Sequence, residues 1–213
     1  LQIFLNWSYS EEHLGKPVRL NKVRVMQQGP VIYARSEVEI LQSTIEKALS
    51  NASTSYQKRC VRNHMRAFMA ARYTVLRCGE IHTIPLRHVL LDEGVMRITS
   101  VPEIGWVPKT RQERVVPINP ELSSFLETDR QNRGQDERWL LDDGLGGQAY
   151  ASNSQLSQVF RRYTKRAGLE QCGRKPLHAL RSTGITGMLS AGGKLDYVMT
   201  IAGHSTPQTT LNH

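Results

Sequence analysis

Apolar side chains recur at helical spacing along most of the chain, and this pattern predicts a mainly helical fold. After Ser36, the residues Val38, Leu41 and Ile45 fall on one face of a helix. We expect Ser36 to cap this helix and Glu39 to complete a capping box. The same spacing predicts further helices at about residues 1–15, 56–71, 76–85, 154–167, 176–189 and 195–202, with additional helix starts at Asn119-Pro120 and Thr206-Pro207.

Two short apolar stretches, 89–91 and 95–98, flank the turn Asp92-Glu93-Gly94 and predict a pair of strands. A third strand is predicted at residues 114–118. Pro117 favours an edge position there, because proline has no N–H to offer a neighbouring strand. The expected fold class is therefore mainly α with a small antiparallel β-sheet (α+β).

The organisation of the chain suggests two parts. Its 213 residues suffice for one full domain plus a fragment, or for two small domains. Residues 16–34 lack hydrophobic periodicity and fit a basic linker or an ordinary surface loop equally well; their basic residues are Lys16, Arg19, Lys22 and Arg24. Because the chain opens in an apolar helical pattern without an initiator methionine, we expect a piece of a longer protein, divided at about residue 30.

The charge of the chain points to a polyanionic partner. The formal net charge is +9, and basic residues cluster in 58–87 and in 161–181, each with seven Lys or Arg against one acidic residue. Nucleic acid is the usual partner of such clusters. The alternative is a generic basic protein whose charge serves solubility.

Several other classes of site lack their sequence signals. The three cysteines (Cys60, Cys78 and Cys172) show no C-x-x-C spacing, so we expect free thiols in a reducing cytoplasm rather than disulfides or zinc. No apolar run approaches about 18 residues, so we expect no membrane span. The chain contains no H-E-x-x-H, no G-x-S-x-G and no glycine-rich nucleotide loop, so we expect no metal, no hydrolytic triad and no cofactor such as ATP or NAD.

Four short motifs carry side chains that suit a phosphate and proton transfer around it. The first, residues 74–80, holds Arg77 with Glu80 three residues later, and we expect both on one helix. An arginine fork matches two phosphate oxygens, and Glu80 could orient it, although the pair alone could be a surface ion pair. His178 and Arg181 are also spaced by three, so they share one helix face.

The other two motifs are a lysine before the third strand and a glycine-histidine pair. Lys109-Thr110 precedes the strand at 114–117 and could equally be a solvated turn, whereas Gly203-His204-Ser205 follows the Arg181 motif by about two dozen residues. The order and spacing of all four motifs resemble the catalytic domain of the tyrosine recombinase (phage integrase) family over residues 31–213. Val75 stands where that family usually has glycine.

The resemblance implies a role for each motif residue. Arg77 and Arg181 would stabilise charge on the non-bridging phosphate oxygens, and His178 would accept and return the proton of a nucleophilic tyrosine. His204 would donate a hydrogen bond to the phosphate, and Lys109 would protonate the departing 5′-oxygen. The supporting residue is Glu80, the fallback for Lys109 is Arg111, and the candidates for further DNA contacts are Arg111, Arg114, Arg161 and Arg162.

The nucleophilic tyrosine of this family lies nine or ten residues after the second histidine. Nine residues after His204 is His213, the last residue of the sequence. Two interpretations remain open: the sequence stops just before the tyrosine, or His213 replaces it. As written, we expect the fragment to be inactive in strand cleavage.

The resemblance further implies strand exchange on double-stranded DNA without a metal or high-energy cofactor, by four protomers around two duplexes. Residues 1–30 would then end an N-terminal core-binding domain and linker, and 31–213 would be the catalytic domain. A cytoplasmic protein of bacterial, phage or mobile-element origin is expected. Two alternatives remain: DNA relaxation like that of a type IB topoisomerase, and a DNA-binding module without catalysis.

Overall fold

A computed structural model describes residues 1–21, 29–171 and 174–211 of the chain. Four residues named above, Lys22, Arg24, Cys172 and His213, lie outside these ranges. The helices are α1 (Gln2–Ser10), α2 (Arg35–Ser50), α3 (Ser55–Thr74), α4 (Cys78–His82), α5 (Pro120–Arg130), α6 (Asn153–Arg166), α7 (Pro176–Ser190), α8 (Leu195–Ala202) and α9 (Pro207–Leu211).

One small antiparallel sheet accompanies the helices. Its strands are β1 (Val89–Leu90), β2 (Val95–Ile98) and β3 (Arg114–Pro117), in the order β1-β2-β3. Met96 pairs with Val116, and both side chains are buried under the sheet. Pro117 lies on an edge strand, as expected, and the predicted α+β class is confirmed.

The central element is α3, which packs against α2 on one side and α7 on the other. Its apolar face carries Phe68, which is fully buried together with Leu41 and Ile45 of α2. From α6, Phe160 closes the same core, and Leu180 of α7 is 1% exposed. The ends of α3, α7 and α8 are therefore held at fixed positions relative to each other.

Two predicted helix starts were wrong. Ala34, not Ser36, is the N-cap of α2, and its N–H donates to the Glu37 carboxylate at 2.7 Å. In this half of a capping box, the carboxylate three residues into the helix accepts from the backbone N–H of the N-cap residue. Alanine supplies that N–H as well as serine does. The helix predicted from residue 76 begins instead at Cys78, because Val75 takes a left-handed conformation that ends α3. Within the described residues, no helix is long and apolar enough to cross a membrane.

Candidate functional site

The junction between α3 and α4 sets the position of Arg77. Val75, the C-cap of α3, has φ 49° and ψ 29°, a left-handed conformation that is rare for a β-branched residue. The sequence predicts Arg77 within a helix. In the structure it is instead the extended N-cap of α4. Glu80 lies three residues on and accepts from the Arg77 backbone N–H at 2.7 Å and from Arg77 Nη1 at 3.1 Å. The backbone and the side chain of Arg77 are thus fixed by the same carboxylate.

Three arginines from distant parts of the chain bind consecutive carbonyls at the C-terminal end of α8. Arg114 Nε donates to Ile201 O at 2.9 Å, Arg181 Nη2 to Ala202 O at 2.7 Å, and Arg77 Nη2 to Gly203 O at 2.7 Å. The last carbonyls of a helix have no partner within it and carry partial negative charge. They therefore suit guanidinium groups. We call Arg77, Glu80, Arg114, Arg181 and His204 the arginine cluster.

Arg181 is the most deeply placed arginine of the arginine cluster. It lies on α7, is 2% exposed, and its Nη1 also donates to the carbonyl of Val75 at the end of α3. Burial, followed by the neighbouring Arg77 charge, lowers the pKa of Arg181 to about 9. The guanidinium still carries its charge at neutral pH.

His204 is held between Arg181 and Thr210. Arg181 Nη2 lies 2.8 Å from His204 Nε2, and His204 Nδ1 lies 2.8 Å from Thr210 Oγ1. A guanidinium can only donate, so Nε2 must be the acceptor, and the proton of the neutral ring is on Nδ1. Thr210 is fully buried, and its hydroxyl accepts from Nδ1 in this tautomer. Here His204 orients Arg181 through its ring nitrogen.

Glu80 links two arginines of the arginine cluster, Arg77 and Arg114. Its carboxylate, 3% exposed, accepts from Arg114 Nη2 at 2.8 Å as well as from Arg77. Burial alone would raise the pKa of Glu80, but the hydrogen bond and charge of Arg114, with those of Arg77, bring it below its ordinary value. The carboxylate is therefore ionised, and three guanidinium charges against one carboxylate leave two positive charges in the cluster.

Arg114, a candidate for DNA contact from the sequence, has a buried side chain. Its side chain is 5% exposed and lies within the arginine cluster. Arg111, three residues earlier, is exposed and has φ 54°. Arg111 and Arg114, both candidates for DNA contact, thus occupy different environments.

His178 lies beside the arginine cluster on α7. It is exposed, but desolvation by the atoms around it, followed by the charges of Arg181, Lys175 and Arg77, lowers its pKa. It lines a cavity of about 530 Å³ together with Arg161 of α6 and Lys175. His178, Arg161 and Lys175 therefore line one cleft, which has room for a ligand.

Two of the predicted positions stay apart from the arginine cluster. Lys109 lies exposed in the turn between β2 and β3, and no hydrogen bond or ion pair among the described residues joins it to the cluster. Arg162 lines a different cavity, of about 460 Å³, beside His64 and Tyr163. In the described parts of the chain, no group of three or more His, Cys, Asp or Glu could hold a metal ion.

Two contributors to this site carried no assigned role in the sequence analysis. One is Thr210, which stands in the Gly-His-Ser-x-x-x-Thr-Thr run but becomes informative only once its contact with His204 is known. The other is the set of carbonyls at the end of α8, which no side-chain motif reports. Together, the arginine cluster can bind an oxyanion, and neutral His178 can accept a proton next to it.

Comparisons with known proteins identify relatives of this chain. A sequence profile of the phage integrase family matches residues 34–213. Tyrosine recombinase XerD of Xanthomonas campestris pv. campestris is 29% identical over 156 residues, which cover 68% of this chain and 46% of XerD. Tyrosine recombinase XerC of Corynebacterium glutamicum is 24% identical over 215 residues, covering 99% of this chain and 63% of XerC. The chain thus spans less than two thirds of the length of these two curated relatives.

A solved structure shares the fold. The Tn1549 transposon integrase in complex with transposon right end DNA matches with a TM-score of 0.71 at 18% identity. The match covers 99% of this chain and 72% of the integrase chain.

Proposed function

The chain belongs to the phage integrase family of tyrosine recombinases, and we propose that the protein containing it cuts and rejoins double-stranded DNA through a 3′-phosphotyrosyl intermediate. The observation that carries this proposal is the convergence of Arg77, Arg181 and His204 at the end of α8, although Arg77 and Gly203 are 126 residues apart. Such a cluster suits one phosphodiester. The recombinase names of the curated relatives support the same reaction.

Arg77 and Arg181 bind the non-bridging oxygens of the scissile phosphate. Both guanidinium groups are held in place before a substrate arrives. Preorganised donors of this kind stabilise the charge that develops in the transition state, and they do so without rearranging during the reaction.

His178 accepts the proton of the attacking tyrosine and returns it on rejoining. Its lowered pKa keeps the imidazole neutral near pH 7, as a general base requires. Lys109 protonates the departing 5′-oxygen. Its exposed turn between β2 and β3 must fold over the DNA to bring Lys109 to the phosphate.

His204 changes its role when the phosphate binds. A phosphate oxygen that replaces the contact between Arg181 and His204 frees His204 Nε2 for the substrate. The Thr210 hydroxyl lies 2.8 Å from Nδ1 and can either accept from it or donate to it. The proton can therefore move to Nε2, from which His204 donates to the phosphate.

Further DNA contacts come from exposed basic residues around this centre. Arg161 and Lys175 line the cleft beside His178, and Arg111 lies exposed in the loop before β3. We assign residues 31–213 to the catalytic domain and residues 1–30 to the end of a core-binding domain with its linker. Four protomers assemble around two duplexes for strand exchange.

The test of this function is covalent trapping. The complete parent polypeptide, with a tyrosine in reach of Arg181 and His204, is mixed with a nicked suicide duplex that carries its site. Arg77→Ala and Arg181→Ala are each expected to slow formation of the SDS-resistant complex by about a hundredfold or more, as with loss of one preorganised donor. Arg→Lys variants fail too, because an ammonium lacks the two-pronged contact.

The matched control is Arg62→Ala, which removes a positive charge from the same basic region without touching the cluster. Equal defects in all three alanine variants would mean that bulk charge, not a site, drives cleavage. Relaxation of supercoiled DNA without strand exchange would favour a topoisomerase. Binding without any covalent complex would leave only a DNA-binding module.

A further inference from the structure

Arg114 occupies a place that a nonspecific DNA contact does not need. Its side chain is 5% exposed, between β3 and α8, and it donates in two directions: Nη2 to Glu80 Oε2 at 2.8 Å and Nε to Ile201 O at 2.9 Å. Its remaining nitrogen, Nη1, is buried and has no hydrogen-bond partner among the described residues. Two of the three guanidinium nitrogens, Nε and Nη2, are therefore committed to protein groups.

Glu80 connects Arg114 to Arg77. One carboxylate oxygen, Oε2, accepts from Arg114 Nη2 and from the Arg77 backbone, and the other, Oε1, accepts from Arg77 Nη1. Arg114 thus competes with the Arg77 guanidinium for the carboxylate. Without Arg114, both oxygens of Glu80 would be available for a bidentate pair that holds Arg77 away from the phosphate.

The second contact of Arg114 fixes the end of α8. Ile201 O, which receives Arg114, is followed directly by the two carbonyls that receive Arg181 and Arg77. Gly203 lies so close that a Cβ there would come within 2.9 Å of Arg114 Nη1 and 3.1 Å of Arg77 Nη1. A shift of Arg114 would therefore move the acceptors of both phosphate-binding arginines.

From these contacts we propose that Arg114 is a positioning residue. It binds one carboxylate oxygen of Glu80, which leaves the other for Arg77, and it fixes the end of α8, so that Arg77 and Arg181 face the scissile phosphate. This rests on the proposed function. Arg114 does not touch the DNA. Its removal lowers the rate of cleavage of bound substrate and leaves DNA affinity and its salt dependence unchanged.

The first arm of the test measures cleavage and binding separately, with the complete parent polypeptide. Arg114→Lys keeps the charge, but a single ammonium cannot donate in both of the directions that Glu80 and Ile201 O require. Single-turnover cleavage at saturating protein is expected to fall by about tenfold to a hundredfold, as with loss of an outer residue that orients a site. The dissociation constant for duplex DNA and the slope of its logarithm against salt are expected to stay as in the wild type.

A double variant tests the proposal even if replacing Arg114 also weakens folding. Glu80→Gln combined with Arg114→Met removes the carboxylate that would otherwise capture Arg77. This double variant should cleave faster than Arg114→Met alone. The matched control is Arg97→Lys on β2, an exposed arginine that pairs with Glu93 and takes no part in the site.

The second arm does not depend on cleavage. Side-chain NMR of arginine in residues 1–213 follows the Arg77 guanidinium, whose rotation is restricted by Glu80 and Gly203 O. In Arg114→Lys, the Arg77 signals should change, whereas those of Arg66, held by Asp129 and Glu137 in a separate buried network, should not.

Three results would overturn the proposal. Arg114→Met removes the charge, so a salt slope lowered by about one in Arg114→Met would make Arg114 a direct phosphate contact. Wild-type cleavage in Arg114→Lys would leave it without a role, and unchanged Arg77 signals would exclude positioning. If the wild-type parent forms no covalent complex at all, the proposed function fails, and the NMR arm alone decides whether Arg114 positions Arg77.

Discussion

The left-handed Val75 and the glycine that faces it, Gly184, allow a strict test of the packing beneath the site. Val75 is fully buried at the end of α3, and Gly184 lies on α7. A Cβ on Gly184 would lie 2.6 Å from Val75 Cγ1 and 3.3 Å from the Arg72 carbonyl. Gly184→Ala therefore forces Val75 to shift, and we expect it to destabilise the fold.

The magnitude follows from opposing effects. Alanine in place of glycine within a helix gains about 1 kcal/mol, whereas overpacking a full core costs about 1–3 kcal/mol. The expected net loss for Gly184→Ala is about 1 kcal/mol. Val75→Gly relieves about 1–2 kcal/mol of left-handed strain but loses about 1.5–3 kcal/mol of side-chain burial. It should therefore also destabilise, by about 1 kcal/mol.

In the presence of Val75→Gly, Gly184→Ala should stabilise the fold instead of destabilising it. With Val75→Gly present, the new methyl of Gly184→Ala fills the space left by valine and keeps its helical gain. We expect it to stabilise by about 1 kcal/mol there, so the coupling between the two sites is about 2 kcal/mol, well above the about 0.5 kcal/mol seen between independent positions.

Urea unfolding of residues 1–213, followed by circular dichroism, measures all four free energies of unfolding. Gly187→Ala on the same helix is the matched control, because a Cβ there meets nothing within 4 Å. It should stabilise by about 0.5–1 kcal/mol, with or without Val75→Gly. If Gly184→Ala and Val75→Gly prove additive, the two residues are not in contact and the account of this junction is wrong.

Three further predictions concern binding, pH and stability. Duplex binding by residues 1–213 should weaken about a thousandfold between 50 and 200 mM salt if about six basic residues touch phosphates; a flat response in fluorescence anisotropy would contradict it. Because the folded pKa of His178 is lowered, its neutral form persists to lower pH, so the acid limb of the cleavage rate should lie below about pH 6.5; a limb above that value would exclude His178 as the base. Arg66→Met leaves two buried carboxylates, Asp129 and Glu137, with Arg133 as their remaining cation, and it should cost about 3–5 kcal/mol in urea unfolding. Arg35→Met, at a 92% exposed side chain, should cost under about 1 kcal/mol; equal costs for the two variants would show that burial of the ion pairs does not determine their contribution.

Local sequence signals predicted most of the fold because most elements begin and end through local chemistry. The expected bounds of α8, 195–202, agree with the structure, and the Asn119 cap with Pro120 does begin α5. The start of α2 was missed for a tertiary reason. Glu37, which accepts from the Ala34 backbone, is also held by Arg174, 137 residues away.

The candidate site was only partly predictable, since its motifs name side chains but not their acceptors. Arg77, His178, Arg181 and His204 stand in recognisable local patterns. The sequence indicated Arg114 only as a candidate for DNA contact on an edge strand, because the groups that bind it, Glu80 and Ile201 O, lie 34 and 87 residues away. Such separations leave no periodic signal in a single sequence.

The way in which the arginines are held explains why the site stays able to bind an anion. Like charges repel, and carboxylates would be the strongest partners for gathering guanidinium groups. A carboxylate for each arginine, however, would leave the cluster neutral. Here the structure describes one carboxylate, Glu80, and the other acceptors of the three arginines are backbone carbonyls, at 201–203 and at Val75, together with the neutral ring of His204. Carbonyls at helix ends bring only partial charge, so they hold the arginines in place and still leave two positive charges for an incoming phosphate.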